Sequence, residues 1–162
     1  MGIINVINQH YLEKRKAKYT RLETLEKELG TAVQQFSINV SSALHSMCWL
    51  TWAAKMGADY VSQERIDKYD DELHATLPKI MGYLSTIAAL DVSLFVGLQE
   101  QSSKIIGLDA RIGEACLLHR TNPNVAAERL ANFYSEAVSF EKTMALDIGK
   151  IAKPKARGVL EL

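Results

Sequence analysis

A seven-residue apolar repeat constrains this chain more than any other feature of its sequence. Leu22, Glu26, Leu29, Val33, Phe36, Val40, Ala43, Met47, Leu50 and Ala54 follow one another in alternating steps of four and three. That spacing keeps one face of a helix turned toward a neighbour. The repeat passes through Gly30 without losing phase, which predicts one continuous helix from about His10 to Met56, roughly 70 Å long at the α-helical rise. Gly57 then supplies a left-handed C-terminal position, and Asp59 or Ser62 can cap the next helix. The connection reads as a tight hairpin.

A second seam runs through Ile66, Leu73, Leu77, Ile80, Leu84, Ile87, Asp91, Leu94, Leu98, Gln101 and Ile105. It predicts one helix of about ten turns, kinked or restarted at Pro78. Gly107 followed by Asp109 reads as a stop and a cap, with a short helix beyond it through Ile112, Cys116 and His119. Thr121-Asn122-Pro123 interrupts that segment, with Asn122 as cap and Pro123 in the first turn, where its missing N–H costs nothing. The last helix carries Ala126, Leu130, Phe133, Ala137, Phe140, Met144, Ile148 and Ile151 and ends near Lys153-Pro154.

Three long seams joined by short turns predict an all-α fold. The expected form is an elongated antiparallel helical bundle, a long hairpin with the interrupted third and fourth helices packed along it. A break at Gly30 would convert it into an up-and-down four-helix bundle. The 162 residues are read as a single domain with flexible ends at 1–9 and 154–162.

Charge limits the partners. Lysines plus arginines equal aspartates plus glutamates at 19 each, so no overall basic excess points to nucleic acid. The distribution is uneven. Five bases from Lys14 to Arg21 stand against Glu13 in the first 21 residues, and Lys150, Lys153, Lys155 and Arg157 stand against Glu161 at the other end. The opening Ile3-Ile4-Asn5-Val6-Ile7 is too short for a membrane span, and its basic cluster follows it rather than preceding it, unlike an export signal. Together with residues 14–21 it suggests at most a peripheral contact with anionic lipid. Cys48 and Cys116 have apolar neighbours and no ligand-spaced companions, which suits reduced thiols and a cytoplasmic protein.

No phosphate-binding glycine loop, Cys-x-x-Cys pair, His-Glu-x-x-His or Gly-x-Ser-x-Gly occurs. Folding the chain about its predicted turns, at Asp59-Tyr60 and at Gly107-Leu108, yields weaker candidates. His45, His74 and Glu141 fall level, two imidazoles and a carboxylate with Asp70 or Asp71 one turn away, a set that suits a divalent metal if the side chains converge. The bland alternative is that both histidines bond backbone or water. Asp91 falls level with Gly30 and Asn122, as a buried polar layer that fixes register or as a small ligand pocket. The same rule puts Cys116 level with Thr20, far along the rod from Cys48, so the two thiols should be unpaired.

Trp49 and Trp52, with Ile38, His45 and Met56, form a second apolar stripe on the first helix. Either two neighbours cover that helix, or the stripe is a contact surface anchored by the tryptophans. The favoured function is therefore a non-catalytic helical protein acting through protein contact, as a homodimer or an adaptor, with no cofactor. A metal- or ligand-binding bundle, with or without enzymatic activity, and a peripheral membrane protein are the alternatives.

Overall fold

A computed structural model describes the chain from Gly2 to Ala152, with side chains described from residue 9 onward. The tail expected at 154–162 and the side chains of Ile3 to Ile7 lie outside the described residues. The described residues form four helices: α1 Gly2–Met56, α2 Gln63–Leu90, α3 Val92–Leu118 and α4 Pro123–Ala152. A single 3-10 turn, Ala58–Tyr60, comes after α1. No strand occurs among the described residues, so the fold is an all-α helical bundle.

α1 is continuous through Gly30, as the unbroken repeat requires, and it starts at Gly2 rather than near His10. Gly57 comes next with φ at +142°, a conformation that L side chains rarely adopt, and Ser62 opens α2 by accepting from the Arg65 N–H at 3.3 Å. The hairpin register expected for α1 and α2 holds. The Ser46 hydroxyl donates to Glu72 at 2.6 Å, and Lys68 reaches the Trp49 ring.

The second half differs from the expectation. α2 does not run on to Ile105; it stops at Leu90, and Gly107 lies inside α3. Asp91 makes the break alone. Its backbone is extended, its N–H closes α2 on the Ile87 carbonyl at 2.7 Å, and its carboxylate opens α3 by accepting from the Leu94 N–H at 3.0 Å and the Ser93 hydroxyl at 2.8 Å. α2 also passes through Pro78 as one helix, with the proline on its exposed face.

From the arm the chain thus goes down, up, down and up. α1 packs mainly on α2 and α4, α3 packs on the same two, and α1 meets α3 across the diagonal. At the lower turns the His119 ring N–H donates to the Val61 carbonyl at 2.8 Å, joining the α3–α4 corner to the α1–α2 corner. The shared core contains Phe36, Leu44, Met47 and Leu50 of α1, Ile80 and Ile87 of α2, Leu98, Ile105, Leu108 and Ile112 of α3, and Leu130 of α4. Burying each such side chain contributes about 1.5–3 kcal/mol before conformational entropy is set against it.

α1 is twice as long as the helices packed on it, 55 residues against 28, 27 and 30. Its burial begins at Leu29, and every residue from Gln9 to Glu28 is exposed. The first half of α1 is therefore an arm that leaves the upper end of the bundle, where α2 turns into α3.

Candidate functional site

The expected metal set does not assemble. His45 on α1 and Glu141 on α4 do meet, with Nδ1 3.5 Å from Oε1, on a largely exposed flank. His74 of α2 instead turns back along its own helix, with Nδ1 2.9 Å from the Asp70 carbonyl and 3.2 Å from its carboxylate. That carbonyl contact, followed by the Asp70 charge, raises the His74 pKa above its ordinary value. Among the described residues no three His, Cys, Asp or Glu side chains gather closely enough to hold a metal ion. The pairing of His45 with Glu141 follows from α4 running antiparallel to α1, not from the turn assumed at Gly107.

Cys48 lies beside this pair, buried at the α1–α4 seam. Burial first, and the neighbouring Glu141 second, push its thiol up to about 12. A thiol held protonated at neutral pH is a poor nucleophile. The His45, Cys48 and Glu141 cluster therefore offers a surface imidazole–carboxylate contact over a packed thiol rather than an activated nucleophile.

Asp91 and Asn122 do not share a layer. Asp91, half-buried, is the hinge at the upper end, whereas Asn122 is exposed at the lower end and caps α4 by accepting from the Val125 N–H at 3.3 Å. Each caps its own helix. Polar contacts between helices lie elsewhere: besides Ser46 and Glu72, the Tyr69 hydroxyl of α2 donates to the half-buried Asp109 of α3 at 2.6 Å. Burial, reinforced by the Asp109 carboxylate, raises the Tyr69 pKa. Cys116 lies on this α2–α3 side, with its thiol pushed up to about 12 by burial and by Asp70 and Asp109. Both cysteines are free, as expected, but Cys116 sits in the last turn of α3 at the lower end and not level with Thr20.

The tryptophan stripe is divided. Trp49 is half-buried against the core, with the Arg65 guanidinium 5.0 Å and the Lys68 ammonium 5.3 Å from its ring centre. One Arg65 nitrogen, Nη1, is enclosed there with no hydrogen-bond partner, a cost that the ring contact offsets. Trp52, Met56 and Ile38 remain uncovered, at 42%, 53% and 52% exposure, on the outward face of α1 between α2 and α4.

The larger uncovered surface is the arm, where Tyr11, Leu12, Tyr19, Leu22 and Leu25 stand between 37% and 62% exposed. Reading α2 as ten turns long hid it, because so long a helix would have covered Leu22. The usable signal was Asp91 followed by Ser93, a cap pattern inside an apparently unbroken repeat. At the shoulder, an open groove of about 410 Å³ lies between the arm's last turns and Tyr83 and Thr86 of α2. No described helix is long and apolar enough to cross a membrane.

Compared with known proteins, the chain matches no family model, and neither a curated protein nor a solved structure shows a significant likeness to it.

Proposed function

We propose that this protein acts without catalysis, through helix-mediated contact with a second copy of itself or with another protein. The supporting observation is the arm, 20 consecutive exposed residues of α1 bearing five large apolar side chains on a helix whose other half is core. An apolar stripe left in water over that length gains from a partner, and contiguous exposed apolar surface on a folded domain commonly marks an interaction site. The outward face around Trp52, Met56 and Ile38 is the second surface available for such contact. The unpaired Cys48 and Cys116 favour a reducing, cytoplasmic setting.

Solution mass by light scattering over a range of concentrations tests the reading. It predicts a mass above the 18.1 kDa chain that rises with concentration, and loss of that rise in either Leu22→Lys or Trp52→Lys according to which face is used. A monomer throughout, with no protein retained from an extract, counts against it.

A further inference from the structure

The helices around the arm's base do not end at one height. His45 meets Glu141, and the Lys55 ammonium lies 4.8 Å from the Tyr134 ring centre, so α4 climbs α1 in a fixed register. Carried to its last residue, that register sets Ala152 level with residues 34–37 of α1. The Ser46–Glu72 bond and the Lys68 contact with Trp49 set Leu90, the top of α2, level with residues 27–28. α4 therefore stops about 10 Å short of the α2–α3 turn. Its last turn is seated there, with Ile151 packed against Gly97 of α3. The chain leaves α4 beneath the inner face of the arm.

That face is apolar, with an acidic flank. Leu22, Leu25 and Leu29 continue, at helical spacing, the face that Phe36 and Val40 bury lower down. Glu23 stands 25 residues from Cys48, about seven turns, and Glu26 stands 29 residues from Lys55, about eight turns. Cys48 and Lys55 are residues of α1 that meet α4, so both glutamates lie on the flank above the end of α4. A helix of a second copy cannot follow this face downward, because the bundle covers it from Ala32 and Phe36 on. A segment that rises from Ala152 starts below it and meets no such obstacle.

The ten residues after Ala152 suit the face in length, charge and pattern. Pro154 has no N–H with which to extend α4 and disfavours helix at Lys153. Lys153, Lys155 and Arg157 alternate with Pro154, Ala156 and Gly158, and Leu160 and Leu162 carry the second set onward. In an extended chain that alternation puts the bases on one side and the apolar residues on the other. Ten extended residues reach about 33 Å, whereas Leu25 and Leu22 stand about 16 and 20 Å above Ala152.

We infer that residues 153–162 dock in extended form on the arm of their own chain, with Leu160 and Leu162 against Leu22 and Tyr19, and Lys155 and Arg157 beside Glu26 and Glu23. Glu23 also holds Lys27 at 2.8 Å on exposed surface, a weak contact that a further base can join. The inference goes beyond the contact function, because the docked segment and a partner compete for the inner half of the arm.

Disulfide formation within the full chain, under mild oxidation at low concentration, tests the docking. Leu22→Cys/Leu160→Cys should close an intrachain bond at least about tenfold faster than Thr24→Cys/Leu160→Cys, since Thr24 is at nearly the same height but lines the groove on the α2 side. Adding Lys155→Glu/Arg157→Glu should slow that closure, and adding Glu23→Lys/Glu26→Lys as well should restore it. Equal rates at positions 22 and 24, or a bond that forms only between chains, overturns the docking. In light scattering, Leu160→Ser/Leu162→Ser should self-associate more tightly than the unaltered protein, and an unchanged affinity overturns the competition. Selective closure in a protein that stays monomeric in every variant removes the contact function and leaves the docking. A concentration-dependent mass without selective closure does the reverse.

Discussion

Replacing Asp91 by alanine separates the observed topology from its nearest competitor by the sign of the effect. In the structure Asp91 ends α2 and caps α3, accepting from the Leu94 N–H at 3.0 Å and the Ser93 hydroxyl at 2.8 Å. Loss of an N-cap carboxylate costs about 0.5–2 kcal/mol. The half-buried setting and the second bond place Asp91→Ala near about 1.5 kcal/mol within that range. Unfolding entropy of about 2.1 cal/mol/K per residue makes that a fall in Tm of about 4 °C for a chain of 162 residues. Asp91→Asn keeps a cap acceptor and should lose less than about 0.5 kcal/mol. If α2 and α3 were instead one helix with Asp91 on its buried seam, alanine would raise helix propensity by about 0.5 kcal/mol and remove a costly carboxylate, so Tm would rise. Thermal melting followed by circular dichroism at 222 nm reads the difference. A Tm for Asp91→Ala equal to or above that of the unaltered protein refutes the hinge.

Other consequences can be measured alongside. Gly107 lies within α3 with nothing inside 4 Å of an added Cβ, so Gly107→Ala should stabilise by about 0.8–1 kcal/mol; destabilisation would mean that the helix stops there. At Gly97 the same Cβ would come 2.8 Å from Ile151 Cγ2, so Gly97→Ala should fall clearly below the Gly107 gain in the same melting experiment, and an equal gain would show that α3 and α4 are not packed closely at that point. Cys48 and Cys116 hold their protons to about 12 when folded, whereas unfolded thiols ionise near 9.0. The unfolded state therefore binds fewer protons above that pH, and stability should fall as pH rises from 9.0 toward 12, with Tyr69 adding to the loss above its ordinary value of 10.0. Melting temperature followed from about pH 8 to about pH 11 should drop less steeply in Cys48→Ala/Cys116→Ala, and identical slopes would contradict the burial of these thiols.

Much of the fold is legible in the residues because a heptad repeat states which face of a helix is apolar. It located α1, carried it through Gly30, and with Gly57 and Ser62 set the α1–α2 register that Ser46 and Glu72 now show. Asn122-Pro123 marked the start of α4 for equally local reasons. A heptad does not state direction. When one residue turns the chain, the spacing from Ile87 through Asp91 to Leu94 and Leu98 stays in phase although α3 runs opposite to α2, and the reversal leaves no mark on the pattern. Gly107 misled for the converse reason. A helical glycine costs about 1 kcal/mol, which the buried Ile105 and Leu108 beside it exceed.

The candidate metal set failed for a different reason. His45 and Glu141 are adjacent, but His74, level with them on α2, turns back onto Asp70 of its own helix, because equal height does not state which way a side chain faces. Trp49 was recognisable as apolar, yet its cover of Arg65 and Lys68 depends on side-chain reach that spacing does not encode. The arm was missed because an expected ten-turn α2 would have hidden it.

Light scattering coupled to small-angle X-ray scattering on one sample tests the central claim most directly. α1 spans about 80 Å at 1.5 Å per residue, so two copies in contact through their exposed arms form a particle longer than that. The prediction is a mass above the 18.1 kDa chain that rises with concentration, in a particle longer than one copy of α1. A particle of single-chain mass at every concentration, or a dimer no longer than one copy of α1, would contradict it.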